Sequence, residues 1–141
     1  MRVKSLSLMA LVSAGCGNAS YSPPSSSDAL AGEFMGTWSC PTDAGAVQLA
    51  TIATIIVSGN ELTETLSFTI PSAGAVSCTE VYAVSGSTAT LNAGQTICTG
   101  PGASDLTGRP SSETDTVSGN TLTVTGVDTS SRPFTGTCAR Q

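Results

Sequence analysis

Histidine is absent from all 141 residues, and the one lysine is Lys4. Those absences exclude Ser-His-Asp and Cys-His triads, histidine metal sites, and any Schiff-base or phosphate-loop lysine beyond the first few residues. No Gly-x-Ser-x-Gly elbow and no Cys-x-x-Cys pair occurs, so the many serines have no activating base and the thiols no redox or zinc spacing. Aromatic residues are only 4% of the chain, which rules out a thick aromatic core. Charged residues are 11%, under half the roughly 25% of an average soluble domain. Hydroxyls carry the polarity instead, with 21 Ser and 21 Thr. Basic residues number 5 against 10 acidic, for a net charge of −5, so nucleic acid and anionic lipid surfaces are poor partners. The chain is expected not to be an enzyme and to use no cofactor.

What is present begins with an address. Arg2 and Lys4 precede an uncharged stretch in which Leu6, Leu8, Met9, Leu11 and Val12 supply the apolar run, the pattern of a short secretory signal peptide. At about eleven residues the run is too short to cross a bilayer as a helix. It ends at Ser13-Ala14-Gly15-Cys16. Small residues before a cysteine, after a charged start and an apolar run, resemble the lipobox of bacterial lipoproteins. The resemblance implies cleavage before Cys16, lipidation of Cys16 and attachment to a bacterial membrane, with Gly17 after the cysteine favouring the outer membrane. Two or more acyl chains make such an anchor stable where one does not. Gly17 to Gly32 is rich in Ser, Pro, Ala and Gly and reads as a flexible tether. The expected organisation is therefore a signal peptide over 1–15, lipidated Cys16 and linker over 16–32, and one domain over 33–141.

From Glu33 onward, short runs rich in Thr, Val and Ile alternate with Gly, Asn, Pro and Ser clusters, and no sustained 3.6-residue apolar repeat occurs. That favours an all-β fold. Nine strands are predicted: 34–40, 48–57, 61–70, 75–84, 88–91, 95–99, 112–117, 121–126 and 134–139. In the third, Leu62, Leu66, Phe68 and Ile70 share one face and Glu61, Thr63, Thr65, Ser67 and Thr69 the other. The motif V-S-G-N-x-L-T occurs at Val57 and at Val117, with a looser copy at Val84. Each copy predicts a tight hairpin, because Gly and Asn tolerate the positive φ such turns need. Consecutive hairpins leave two exposed edges unless they close, so the expectation is a small antiparallel meander barrel or a sandwich.

Gly36-Thr37-Trp38 resembles the G-x-W signature of lipocalin-like barrels. That resemblance implies that Trp38 plugs one end and that Arg140, near the last strand, packs over it. A longer set of fragments, Gly36-Thr-Trp, Val84-Ser-Gly, Gly94-Gln95-Thr and Thr137-Cys138, resembles small four-cysteine lipoproteins of myxobacterial type, a group that implies address and fold but no activity. With Cys16 set aside, Cys40, Cys78, Cys98 and Cys138 make an even number in an exported domain, and two disulfides are expected. Of three pairings, Cys78 with Cys98 is favoured by the hairpin about Gly86, with Asn92-Ala93-Gly94 as a register-correcting bulge. Cys40 with Cys138 then ties the first strand to the last.

The acidic residues offer the remaining chemistry. Glu113 and Asp115, at i and i+2, share a strand face, and with Asp105 and Asp128 nearby they could bind Ca²⁺ or act on glycosides. The reading adopted is a solvated acidic face that limits aggregation, with no metal. Glu64 and Glu80 are read as rim positions in preference to inward carboxylates in a cavity. Trp38, Tyr82 and Arg140 are the candidate ligand-cavity residues. The functional expectation is a membrane-anchored, non-catalytic binding module, taking a small apolar ligand inside the barrel or an envelope protein or glycan outside. A passive structural lipoprotein is the alternative.

Overall fold

The computed structural model describes residues 30–44, 47–106 and 108–141. The expected signal peptide, Cys16 and all of the linker except its last three residues lie outside that range. Leu30 to Gly32 form a helical turn with Ala31 buried, so the folded body includes residues assigned above to the linker.

Nine strands follow: β1 (Gly36–Ala44), β2 (Val47–Ser58), β3 (Glu61–Ile70), β4 (Gly74–Ser85), β5 (Thr88–Leu91), β6 (Ile97–Thr99), β7 (Pro110–Ser118), β8 (Thr121–Asp128) and β9 (Pro133–Arg140). All ladders are antiparallel, in the order β3-β2-β1-β9-β8-β7-β5-β4, and β3 pairs back to β4. The sheet therefore closes into an eight-position barrel, which removes the edges a meander would expose. The predicted strands correspond to these nine, but β1 starts two residues later and runs on to Ala44, because Phe34 belongs to the turn before it.

The three V-S-G motifs all make two-residue hairpins: Ser58 pairs with Glu61, Ser85 with Thr88, and Ser118 with Thr121. Glycine alone supplies the positive φ, at 62°, 62° and 59° for Gly59, Gly86 and Gly119, whereas Asn60 and Asn120 do not adopt it. That asymmetry belongs to the type II′ turn, which matches the twist of the flanking strands.

β5 and β6 are one strand line broken by a bulge. The β4–β5 ladder ends at Tyr82 with Leu91 and resumes on β6 at Thr79 with Ile97, so Asn92 to Thr96 bulge out and shift the register by three residues. The shift brings Cys78 opposite Cys98, and they are disulfide-bonded. Cys40 and Cys138 form the second disulfide, across 98 residues of sequence. Both pairings agree with the expectation.

Inward-facing positions fill the interior. Trp38, Tyr82, Phe34, Ile55, Leu62 and Leu122 are its largest fully buried apolar and aromatic side chains. The indole Nε1 of Trp38 donates to the Phe34 carbonyl at 2.9 Å, locking the plug to the turn that precedes β1. The Arg140 guanidinium lies 4.3 Å from the Trp38 ring centroid and donates to the carbonyls of Met35 and Glu33. One side chain thus covers the plug and satisfies two carbonyls of the preceding turn. Arg140→Ala should cost about 1–3 kcal/mol, from the lost cation–π contact and two charge-assisted hydrogen bonds. Urea unfolding followed by Trp38 fluorescence tests this, because Trp38 is the only tryptophan and its emission reports the opened end directly.

A buried carboxylate cluster as the candidate functional site

The alternation that places Leu62 and Leu66 inside the barrel also places Glu64 inside, between them on β3. Glu80 lies directly opposite Glu64 on β4, and Tyr82 follows two residues later on the same face. On β7, the inward phase of Val117 carries Asp115 and Glu113 with it. Relative exposures are 2% for Glu64, 1% for Glu80, 7% for Glu113 and 0% for Asp115. The solvated acidic face and the rim positions read from the sequence are therefore corrected: all four carboxylates point into the core. One oxygen from each of Glu64, Glu113 and Asp115 lies within 4.8 Å of the other two.

The neighbours leave this charge poorly answered. The Tyr82 hydroxyl lies 2.8 Å from Glu80 Oε2 and 2.9 Å from Glu113 Oε1. A phenol has one hydrogen, so it can donate to only one of them. The second contact needs a proton on a carboxyl group. Thr96, in the bulge, donates to Glu80 Oε1 at 3.3 Å. Both oxygens of Asp115 are buried with no hydroxyl, amide or guanidinium donor, and only a proton shared with Glu113 can join them to a neighbour. Among the described residues no arginine pairs with the cluster: Arg132 pairs with Asp128, and Arg140 is committed to backbone carbonyls.

Burial and mutual repulsion set the proton affinities. Desolvation, with the charges of Glu64, Glu113 and Glu80, pushes Asp115 up to about 10. Desolvation and the charges of Glu113 and Glu80 push Glu64 up to about 8. Glu113 rises to about 7, by desolvation and then by Glu80, against the hydrogen bonds from Tyr82 and Asp115. Glu80 is also raised by desolvation, opposed by its bonds to Tyr82 and Thr96, and Tyr82 is raised by burial among the carboxylates. A cluster of this kind is retained only if protons or a cation neutralise it.

The strand line is interrupted beside it. Glu80 stands on the stretch of β4 facing the bulge, and Glu113 lies one residue beyond the last β5–β7 rung, Thr90 with Thr114. Glu80 and Glu113 thus flank the break in the strand line, and Glu113 is the most exposed of the four.

The other sequence candidates fall elsewhere. Asp128 is consumed by the β8–β9 turn, accepting from the Ser130 and Arg132 amides and the Arg132 guanidinium. Asp105 is exposed in a 3-10 turn. Glu64 and Glu80, and not Asp105 and Asp128, complete the cluster around Glu113 and Asp115. Trp38 and Tyr82 are fully buried and packed in the core, and Arg140 lies over the outer side of the plug. An open groove of about 740 Å³ near Leu49, Phe68, Val76 and Pro101 contains none of these three residues and none of the four carboxylates. A second, near Pro41, Thr121 and Ala139, contains none of them either.

No protein-family model, curated protein or solved structure matches the chain. The reading of the site therefore rests on its geometry.

Proposed function

We propose that the protein is a lipid-anchored, non-catalytic binding module of the bacterial envelope whose barrel takes a small cation at the Glu64, Glu80, Glu113 and Asp115 cluster. The observation that carries the binding half is Asp115: a carboxyl group with no exposed surface and no hydroxyl, amide or guanidinium donor to either oxygen, facing only the carboxyl groups of Glu64 and Glu113. Leaving such a group unpaired costs several kilocalories per mole, which a bound cation would offset. The packed core argues against the small apolar ligand considered from sequence, since Trp38, Tyr82, Phe34 and Leu122 occupy the space it would need. Glycoside chemistry is disfavoured for the same reason, because a sugar ring cannot pass between carboxyl groups this enclosed and this close.

The envelope half rests on the charged start, the apolar run and the Cys16 lipobox pattern, supported by two disulfides of the kind that persist in oxidising compartments. Intact mass of membrane-extracted protein tests it: a chain beginning at Cys16 with added acyl mass is expected, and an unlipidated chain would overturn the anchor. The binding half is tested by thermal unfolding of desalted protein against sodium, ammonium, guanidinium, spermidine, magnesium and calcium. At least one should raise the Tm of the wild type and not of Asp115→Asn. A panel without effect would overturn it.

A further inference from the structure

Resting on that reading of the cluster, we infer that the cation is a calcium-sized hard divalent ion, ligated by Glu64, Glu113 and Asp115, with Glu80 and Tyr82 orienting the ligands from behind.

The donor set is all oxygen and all carboxylate, with no histidine in the chain and all four cysteines of the folded body in disulfides. That chemistry selects hard cations over zinc, copper or nickel. The three ligand oxygens all lie within 4.8 Å of one another, close enough to share one central ion. Hydration then separates the hard ions. Magnesium holds several waters in near-octahedral geometry, and the burial of all four carboxylates leaves little room for that shell. Calcium tolerates irregular coordination and bidentate carboxylates, which suits three acidic side chains arriving from two walls of a barrel.

The surrounding residues have the form of a supporting shell. Tyr82 bridges Glu113 and Glu80, so it fixes the rotamer of a ligand through a hydrogen bond whose far end is tied to Glu80. Thr96 holds Glu80 in turn. Outer partners of this type orient first ligands and set affinity. Asp115 stands opposite Ala89 of β5, a fully buried small residue, so no bulky side chain from that position competes for the space in front of it. Asn92 to Thr96 then mark the route by which an ion reaches the interior, since the ladder on that edge of β4 is interrupted where Glu80 faces it.

The test uses the full chain passed over chelating resin and titrated calorimetrically with CaCl₂ and with MgCl₂, together with Tb³⁺ luminescence excited through the neighbouring tyrosine. The expected result is one calcium site, weaker binding of magnesium, and sensitised Tb³⁺ emission that calcium displaces. Glu64→Gln, Glu113→Gln and Asp115→Asn should each weaken calcium by about tenfold or more, whereas Glu61→Gln, on the exposed face of β3, should not. Three near-isosteric variants keep the test decisive if one of them folds poorly. If calcium and Tb³⁺ fail to bind while ammonium, guanidinium or spermidine still stabilises the protein, this inference is overturned and the cation-binding module stands. Failure of every cation overturns both. Calcium binding that survives all three ligand variants would place the ion elsewhere and overturn the assignment of ligands.

Discussion

Replacing Cys40 and Cys138 by serine should lower the stability of the barrel by about 4 kcal/mol, more than the same change at Cys78 and Cys98. The disulfide spans 98 residues, and a cross-link over about 100 residues removes up to about 4.7 kcal/mol of unfolded-chain entropy, against about 3 kcal/mol for a loop of about 15. The Cys78–Cys98 link spans 20 residues and joins two strands already held in register on either side of a bulge. The longer link also has the weaker seam to hold. β1 meets β9 in two register pairs, Trp38 with Arg140 and Ser39 with Ala139, the fewest of any ladder among the described residues. Urea unfolding of the two double-serine variants should therefore rank the Cys40/Cys138 pair well below the Cys78/Cys98 pair. Equal losses would mean that seam closure and loop length contribute nothing distinctive.

Metal-free protein should become less stable as pH rises from 5 to 8, against the usual behaviour of carboxylate-rich domains. The sign follows from proton binding. Glu64, Glu113 and Asp115 titrate in the folded state near 8, 7 and 10, above the ordinary range near 4 that they recover on unfolding. Across pH 5 to 8 the folded chain therefore holds more protons than the unfolded chain, and stability falls with pH. The decline should begin near pH 4 and continue until each folded value is passed. A tenfold gain in proton affinity on folding corresponds to about 1.4 kcal/mol, so the gains at these three carboxyls together amount to stability on the order of a few kcal/mol over that window. Asp128, held below its ordinary value by the Arg132 and Ser130 amides and the Arg132 guanidinium, acts in the opposite sense. Its contribution is lost only as pH falls through the acid range below about 4, so it does not disturb the test. Thermal unfolding in chelator-containing buffers from pH 5 to 8 measures the slope, and Glu64→Gln with Asp115→Asn should flatten it. A Tm that rises with pH would refute the account of the cluster.

Most of the barrel was legible in the sequence because its determinants are local. The V-S-G motifs name their own turns, alternation names the strands, and four cysteines with a bulge between two of them suffice for the pairing. The inward carboxylates defeat a reading by polarity for an identifiable reason. Charge places Glu113 and Asp115 on a wet face and Glu64 and Glu80 at a rim, although strand phase says otherwise: Leu62, Glu64 and Leu66 share one parity, as do Cys78, Glu80 and Tyr82, and as do Glu113, Asp115 and Val117. Phase was the signal that could have found them. What no local pattern carried is that β7 approaches β3 and β4 across the closed interior, since that proximity exists only once the barrel is complete.

The same closure gives the chain an order of events. Every ladder but one joins strands that are neighbours in sequence, once β5 and β6 are counted as one line, so each hairpin can zip as soon as its second strand emerges from a ribosome or a translocation pore. The β1–β9 seam is the exception. The free edge of β1, among the earliest to form, must wait for the final strand before its amides and carbonyls near Trp38 find partners. Throughout that interval the nascent sheet is an open template, and β1 offers a second chain its unpaired edge until β9 arrives to seal it.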